Sequence, residues 1–470
     1  MNKKKIVFYE LNEVPSRIFD HFTLAFPNSA FARLNRHALR YETYTEDAGH
    51  LSPWVTWPTL HRGVTNEDHE ISDFGMDLSH VNKEMPPIWD FLARQGCRVG
   101  MFGSLHTYPL PDNVEQYSFY VPDTFAAGPE CFPSRYEAFQ EFNLRMVGMN
   151  GRNAHSGIAL REAIEFVRKA PGLGLRAATI GKLASQIASE RINSKRVVRR
   201  RTSQVQIAFD FFLKALIADK PDASFFFTNH VASSMHRYWP AIFPQDYDEL
   251  QYDDAWIEAW RNEIPFTMRE TASQLSHLME FVERSPDHLL VVASSMGQEA
   301  VQEKKKIESQ VIISSMQRLM ASLDMQPSDW HRRPSMIPQF NVYVTEESRA
   351  RFLQNVGALS INGKGINIKE LGEGIIRLGF GLVNQLKVSA TYKGEAVDYT
   401  AFGFSNISLQ DAAGANAYHI PQGVLLVYDP HKPGRGGTST DSVSTTEVFP
   451  TIARNFELNT PSYLRGGFSL

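Results

Sequence analysis

Cysteine is nearly absent. Cys97 and Cys131 are the only two among 470 residues, which excludes a disulfide framework as the basis of stability and leaves too few thiolates for a zinc finger. No apolar run is long enough to span a bilayer. The start, MNKKKIVFYELNE, breaks its short apolar run at Glu10, too early for the hydrophobic stretch of a secretory leader. Internal repeats and low-complexity tracts are missing as well. Neither charge sign prevails, with 48 Lys and Arg against 52 Asp and Glu. What is left, at 43% hydrophobic and 21% charged residues, is ordinary globular material for one large domain with insertions or for two domains. A reducing cytoplasm is the expected location.

Basic charge is local. SKRVVRRRTSQ packs Lys195, Arg196, Arg199, Arg200 and Arg201 into one stretch, expected to be helical. Such a run is either a solvated face or a patch for anionic headgroups, which would make the protein peripheral to the inner membrane surface. Nucleic acid is not expected, because no aromatics interleave the cations.

Helix and strand alternate along the chain. KKKIVFYELN reads as a buried parallel strand, IWDFLARQGCRVGMFGS as helix, glycine and strand, and FDFFLKALIADKPD followed by ASFFFTNHV repeats the pattern. RETASQLSHLMEFVERSPD and HLLVVASSMG repeat it again. This order predicts an α/β fold, a doubly wound and mostly parallel sheet with helices on both faces. Residues 1–134, 205–335 and 411–470 are assigned to the core, 135–204 to a helical basic insertion and 336–410 to a small α+β cap. The polar stretch DPHKPGRGGTSTDS, 429–442, is expected to be a loop.

Ligands in open parallel sheets collect at the carboxyl ends of strands. Those ends carry ELNE (Glu10, Asn12, Glu13), TNHVASSMHRYW (His230, His236), SSMGQE (Ser295, Gln298, Glu299) and YHIPQG (His419). Thr56 stands in SPWVTWPTLHRG between Pro53 and Pro58, which argues against a helix interior and for a turn leading into a short helix. A threonine there caps a helix, fills a turn or attacks a substrate.

Taken together and in order, these segments resemble the alkaline phosphatase superfamily, in particular its type I phosphodiesterase and nucleotide pyrophosphatase branch. KKIVFYELNE resembles its first strand, SPWVTWPTLHRG its nucleophile segment with Thr56 at the nucleophile, and FFFTNHVASSMHRYW the segment bearing an Asp and a His ligand. DHLLVVASSMGQ, YHIPQGVLLVYDP and TTEVFPTIARNFELNTP resemble its later strands and closing helix. The resemblance implies a two-metal phosphoryl site, yet the family's acids fall on Asn12, Ala232 and Ser295, and a His ligand falls on Met296. Thr56, His236 and His419 match.

With neutral groups at the acid positions, a full two-metal site is not expected. His230, His236 and His419 are assigned to at most one divalent ion, zinc or manganese, or to direct contact with phosphoryl oxygens. Glu10 or Glu13 would supply a carboxylate or a general base. Asn12, Ser295, Gln298, Arg62 and Arg237 are assigned to substrate, the arginines as phosphate grips. The expected function is a phosphodiesterase-like or phosphohydrolase-like enzyme working through Thr56 on a phosphoester or nucleotide-activated small molecule or glycan. The alternative is a metal-free transferase, or a pseudoenzyme binding phosphorylated glycan or lipid intermediates.

Overall fold

The computed structural model describes residues 3–150, 172–302, 306–333, 335, 338–372, 374–379, 381–432, 437–468 and 470. Two compact units emerge: Met1–Asn143, Ala159–Lys304 and Ala415–Leu470 form the first, Leu144–Ile158 and Lys305–Gly414 the second. The part of the expected basic insertion at 151–171 lies outside the described residues.

The first unit is built on an eight-stranded sheet. In chain order it includes β1 (Lys5–Leu11), β2 (Leu39–Tyr44), β3 (Val99–Phe102), β4 (Phe119–Val121), β5 (Ala223–Thr228) and β6 (His288–Ala293). Across the sheet the order is Gly437–Ser444, β2, Gln422–Tyr428, β6, β1, β5, β3, β4. All neighbours pair in parallel except Gln422–Tyr428, which runs antiparallel between β2 and β6. This is the predicted mostly parallel α/β sheet. β1 sits near its middle because KIVFYEL is apolar on both faces. Ile6 and Phe8 pack on one side against Trp54, Trp57, Leu60 and Phe225, while Val7 and Tyr9 are buried on the other. Each such side chain removed from water contributes roughly 1.5–3 kcal/mol before entropy is counted.

Helices Arg200–Asp219 and Glu263–Glu283 precede β5 and β6. The first ends as its sequence announces: Lys220 takes a left-handed C-cap conformation (φ 43°), and Pro221 cannot continue the helix. Arg199 and Arg200 of the basic stretch are ion-paired inside this unit, at 2.6 Å to Glu263 and 2.8 Å to Glu190. Among the described residues no helix is long and apolar enough to cross a membrane.

Two expectations are corrected. The expected turn leading into a short helix is helix from Pro53 onward, ten residues to Arg62, so that Thr56 lies inside the helix and not in a turn before it. Pro53 occupies the first helical position, where its missing N–H is harmless, and Ser52 caps the end by accepting from the Trp54 N–H. Pro58 cannot donate to the Trp54 carbonyl, and His106 does so in its place, Nε2 to O at 2.9 Å. Gly63, at φ 70°, closes the helix. The second correction concerns the polar stretch 429–442, whose end, Gly437–Ser444, is an edge strand beside β2.

The second unit has its own core, including Val342, Phe352, Ile376 and Leu378. Two four-stranded antiparallel sheets and the helix Glu346–Gly357 form it. Its chain leaves the first unit after Gly297–Ala300 and returns at Ala417–Ile420. Those two segments pair antiparallel, and the Val301 N–H donates to the Asn416 carbonyl at 2.9 Å.

Candidate active site

Glu13 is the centre of the site. It follows β1 directly, is 2% exposed, and takes a left-handed backbone conformation, φ 59°. For a residue with a Cβ this costs of order 1 kcal/mol and persists only where the surroundings impose it. Here they do. Its Oε1 accepts from Asn12 Nδ2 at 2.8 Å, and its Oε2 from Gln298 Nε2, while His236 Nε2 lies 3.0 Å and His419 Nε2 3.3 Å from the same Oε2.

Both imidazoles are fixed from behind. His236 Nδ1 donates to the Ala417 carbonyl and His419 Nδ1 to the Leu51 carbonyl, each at 2.7 Å. A carbonyl only accepts, so both Nδ1 atoms carry hydrogen and both Nε2 atoms face Glu13. Burial alone would raise the Glu13 carboxyl, but the charges of His419 and then His236 outweigh it and hold Glu13 well below the usual carboxylate range. Burial alone would lower the His419 imidazole, and Glu13 outweighs it in turn, raising His419.

Separate elements deliver these groups. His236 belongs to the helix His230–Tyr238, and His419 pairs in register with Gln298 on the short antiparallel ladder. Gly297 is required there, since a Cβ would meet the Gln422 carbonyl at 2.3 Å and Pro15 at 2.9 Å. Asn416 ties helix to ladder: its N–H donates to the His236 carbonyl and its Nδ2 to the Arg237 carbonyl, both at 2.6 Å. Nothing in GANAYH announces that role.

Asn12 is the second hub. Its Oδ1 accepts from Trp57 Nε1 at 2.7 Å and its Nδ2 donates to Glu13 and to Asn229 Oδ1, 2.8 Å each. Next to Trp57, Thr56 Oγ1 shares a hydrogen bond of 2.8 Å with Ser295 Oγ, and both residues are fully buried. Solvent meets the cluster at His236, with 26% of its side chain exposed, and at Tyr418, 37% exposed, whose ring lies 4.2 Å from His419. His50 completes this rim, its Nε2 3.3 Å from the Tyr418 hydroxyl.

Other predicted residues stand elsewhere. His230 lies six residues before His236, about 240° round the helix. It faces Thr271 at 3.0 Å, and burial pushes its pKa down to about 4. Glu10 Oε1 lies 2.7 Å from His61 Nε2 in a fully buried pair, with Trp57 stacked on the imidazole. Arg62, 2% exposed, donates to the Met85 carbonyl and to Asn82 Oδ1, and burial lowers its pKa to about 10. Arg237 is half-buried beside His236, and Glu299 is exposed.

Among the described residues, Glu13, His236 and His419 form a group able to hold a metal ion, with their ligand atoms all within 4.8 Å of one another. Two imidazole nitrogens and one carboxylate are a ligand set of catalytic zinc that leaves a position open. Nδ1–H bonds to carbonyls are the usual outer support of such histidines. Asn12, Thr56 and Ser295 are neutral, and as a set they do not fit a second divalent ion.

No protein-family model and no curated protein matches the chain. Among solved structures, an inactive form of murine ectonucleotide pyrophosphatase/phosphodiesterase 5 in complex with AMP aligns at 11% identity and a TM-score of 0.42, over 99% of this chain and 97% of that one. The same murine protein in a second structure aligns at 12% and 0.40 (99% and 98% covered), and the human protein at 10% and 0.41 (99% and 97%).

Proposed function

We propose that the first unit is a phosphodiesterase-like phosphoryl enzyme with one divalent cation, zinc or manganese, held by Glu13, His236 and His419. The observation that carries this reading is the convergence of two carbonyl-anchored Nε2 atoms on one buried carboxylate oxygen. A bound cation supplies Lewis acidity toward a phosphoryl oxygen. The chain's own groups do the rest. Asn12 and Gln298 orient Glu13, the rim of Tyr418 and His50 admits a phosphoester or nucleotide-activated substrate, and Thr56, its hydroxyl oriented by Ser295, either holds a phosphoryl oxygen or attacks phosphorus as the bond to the ester oxygen breaks, the hydroxyl proton leaving with that oxygen as the alcohol.

The full burial of Thr56 favours a second reading, in which the hydroxyl does not attack and the site binds a phosphorylated glycan or lipid intermediate without turnover. Elemental mass spectrometry on protein purified without added metal or chelator separates the two, alongside an aryl phosphodiester assay. The first reading expects about one zinc or manganese per chain, lost in Glu13→Gln, His236→Ala and His419→Ala. It also expects diesterase turnover that falls at least ~100-fold in Thr56→Ala. Absence of metal even after soaking, together with retained binding of a nucleotide or sugar phosphate, would establish the second.

A further inference from the structure

Helix Ala177–Ile192 leaves an apolar stripe exposed to solvent. Surface helices bury an apolar stripe and show water a polar one. In this helix Thr179 is buried and Leu183, Gln186 and Glu190 are half-buried, and several of the contacts to the rest of the unit are polar. Lys182 Nζ lies 2.6 Å from Glu270 Oε2, Gln186 Nε2 donates to the Arg196 carbonyl at 2.7 Å, and Glu190 pairs with Arg200 at 2.8 Å. Ile180, Ala184, Ile187 and Ala188 share the other face at helical spacing, and all four are exposed. Ile187 is 54% exposed, and Ile192, the last residue of the helix, 86%.

The charge around this face is one-sided. Residues 172–201 carry eight Lys and Arg against one acid, Glu190. Arg176, Lys182, Arg199 and Arg200 are neutralised by Asp210, Glu270, Glu263 and Glu190. Arg191 and Lys195 are exposed, Arg196 is half-buried, and Arg191 falls on the same face as Ile180 and Ile187.

We propose that this face docks on an anionic lipid bilayer. Ile180 and Ile187 enter the boundary between headgroups and acyl chains, while Arg191, Lys195 and Arg196 reach lipid phosphates. A second copy of the chain fits less well. In a two-fold contact Arg191 would face its own counterpart across an apolar patch, whereas anionic lipid supplies the missing charge.

The test is co-sedimentation of the full chain with vesicles of phosphatidylcholine alone and of equal parts phosphatidylcholine and phosphatidylglycerol. The chain is expected to pellet with the second and not the first, and to be released by high salt. Lys195→Glu/Arg196→Glu is expected to weaken binding about 25-fold or more, a factor of about five per cation. Ile180→Glu/Ile187→Glu replaces exposed side chains, is expected to keep the wild-type melting temperature, and should abolish pelleting. The proposal is overturned by failure to pellet with anionic vesicles, or by pelleting that survives the isoleucine substitutions. A dimer seen by light scattering and split by Ile187→Glu would also overturn it, assigning the face to a second copy.

Discussion

Glu13 shows how one residue can be held against its own preference. Its left-handed backbone suits glycine, yet the position carries a carboxylate that gathers two amide donors and two imidazole nitrogens. Resemblance drew attention to Asn12, one residue earlier, as the degenerate acid. The carboxylate that meets the imidazoles is that of Glu13; both side chains are buried, and a linear reading offers no sign of which of the two reaches His236 and His419 once the strand ends. His230 is the converse: its spacing in TNHVASSMHR put it near His236, and the helical period carried it away. That burial has a measurable result. Folded His230 has a pKa of about 4, and in the unfolded chain it would titrate near 6.5. Between those values the unfolded chain takes up a proton that the folded chain refuses, so stability is lost as pH falls from about 6.5 toward 4. Urea unfolding at pH 7 and pH 5 should show a stability loss about 2 kcal/mol smaller in His230→Leu than in the wild type, the remainder belonging to other buried histidines such as His69 and His106.

At the scale of elements, the strands and long helices were legible because their periodicity is set by burial. β1, β5 and β6 are near-continuous apolar runs, and the helices before β5 and β6 end at Lys220–Pro221 and before Ser285–Pro286 as the composition indicates. Helix Pro53–Arg62 was not legible, because Pro58 is tolerated only with a donor brought from 52 residues away. This coupling is open to a double-mutant cycle. His106→Ala should cost about 1–3 kcal/mol by leaving the Trp54 carbonyl unpaired. In a Pro58→Ala background, where residue 58 regains its N–H, the same change should cost at least about 1 kcal/mol less, as measured by denaturant unfolding. Equal costs in both backgrounds would mean that His106 acts through packing alone.

At the scale of the whole molecule, alternation of helix and strand was enough to read the α/β architecture, and the strand ends did contain Glu13, His236, His419 and Gln298. What no linear reading contained was the ladder that joins the last two. Gln298 and His419 are register partners although 121 positions separate them in the chain, and Lys305–Gly414, the larger part of the second unit, lies between. Closing a loop of that length costs about 4 kcal/mol of chain entropy. The pairing is predicted to form after the folding barrier, on the descent to the native state. A stopped-flow chevron on Gln298→Ala should show unfolding accelerated and refolding unchanged, the signature of contacts absent from the transition state. Refolding slowed in proportion to the lost stability would put the ladder in the folding nucleus instead. If the pairing does form late, the site is also the first part to come apart, and the protein would lose its ligand set before it loses its sheet.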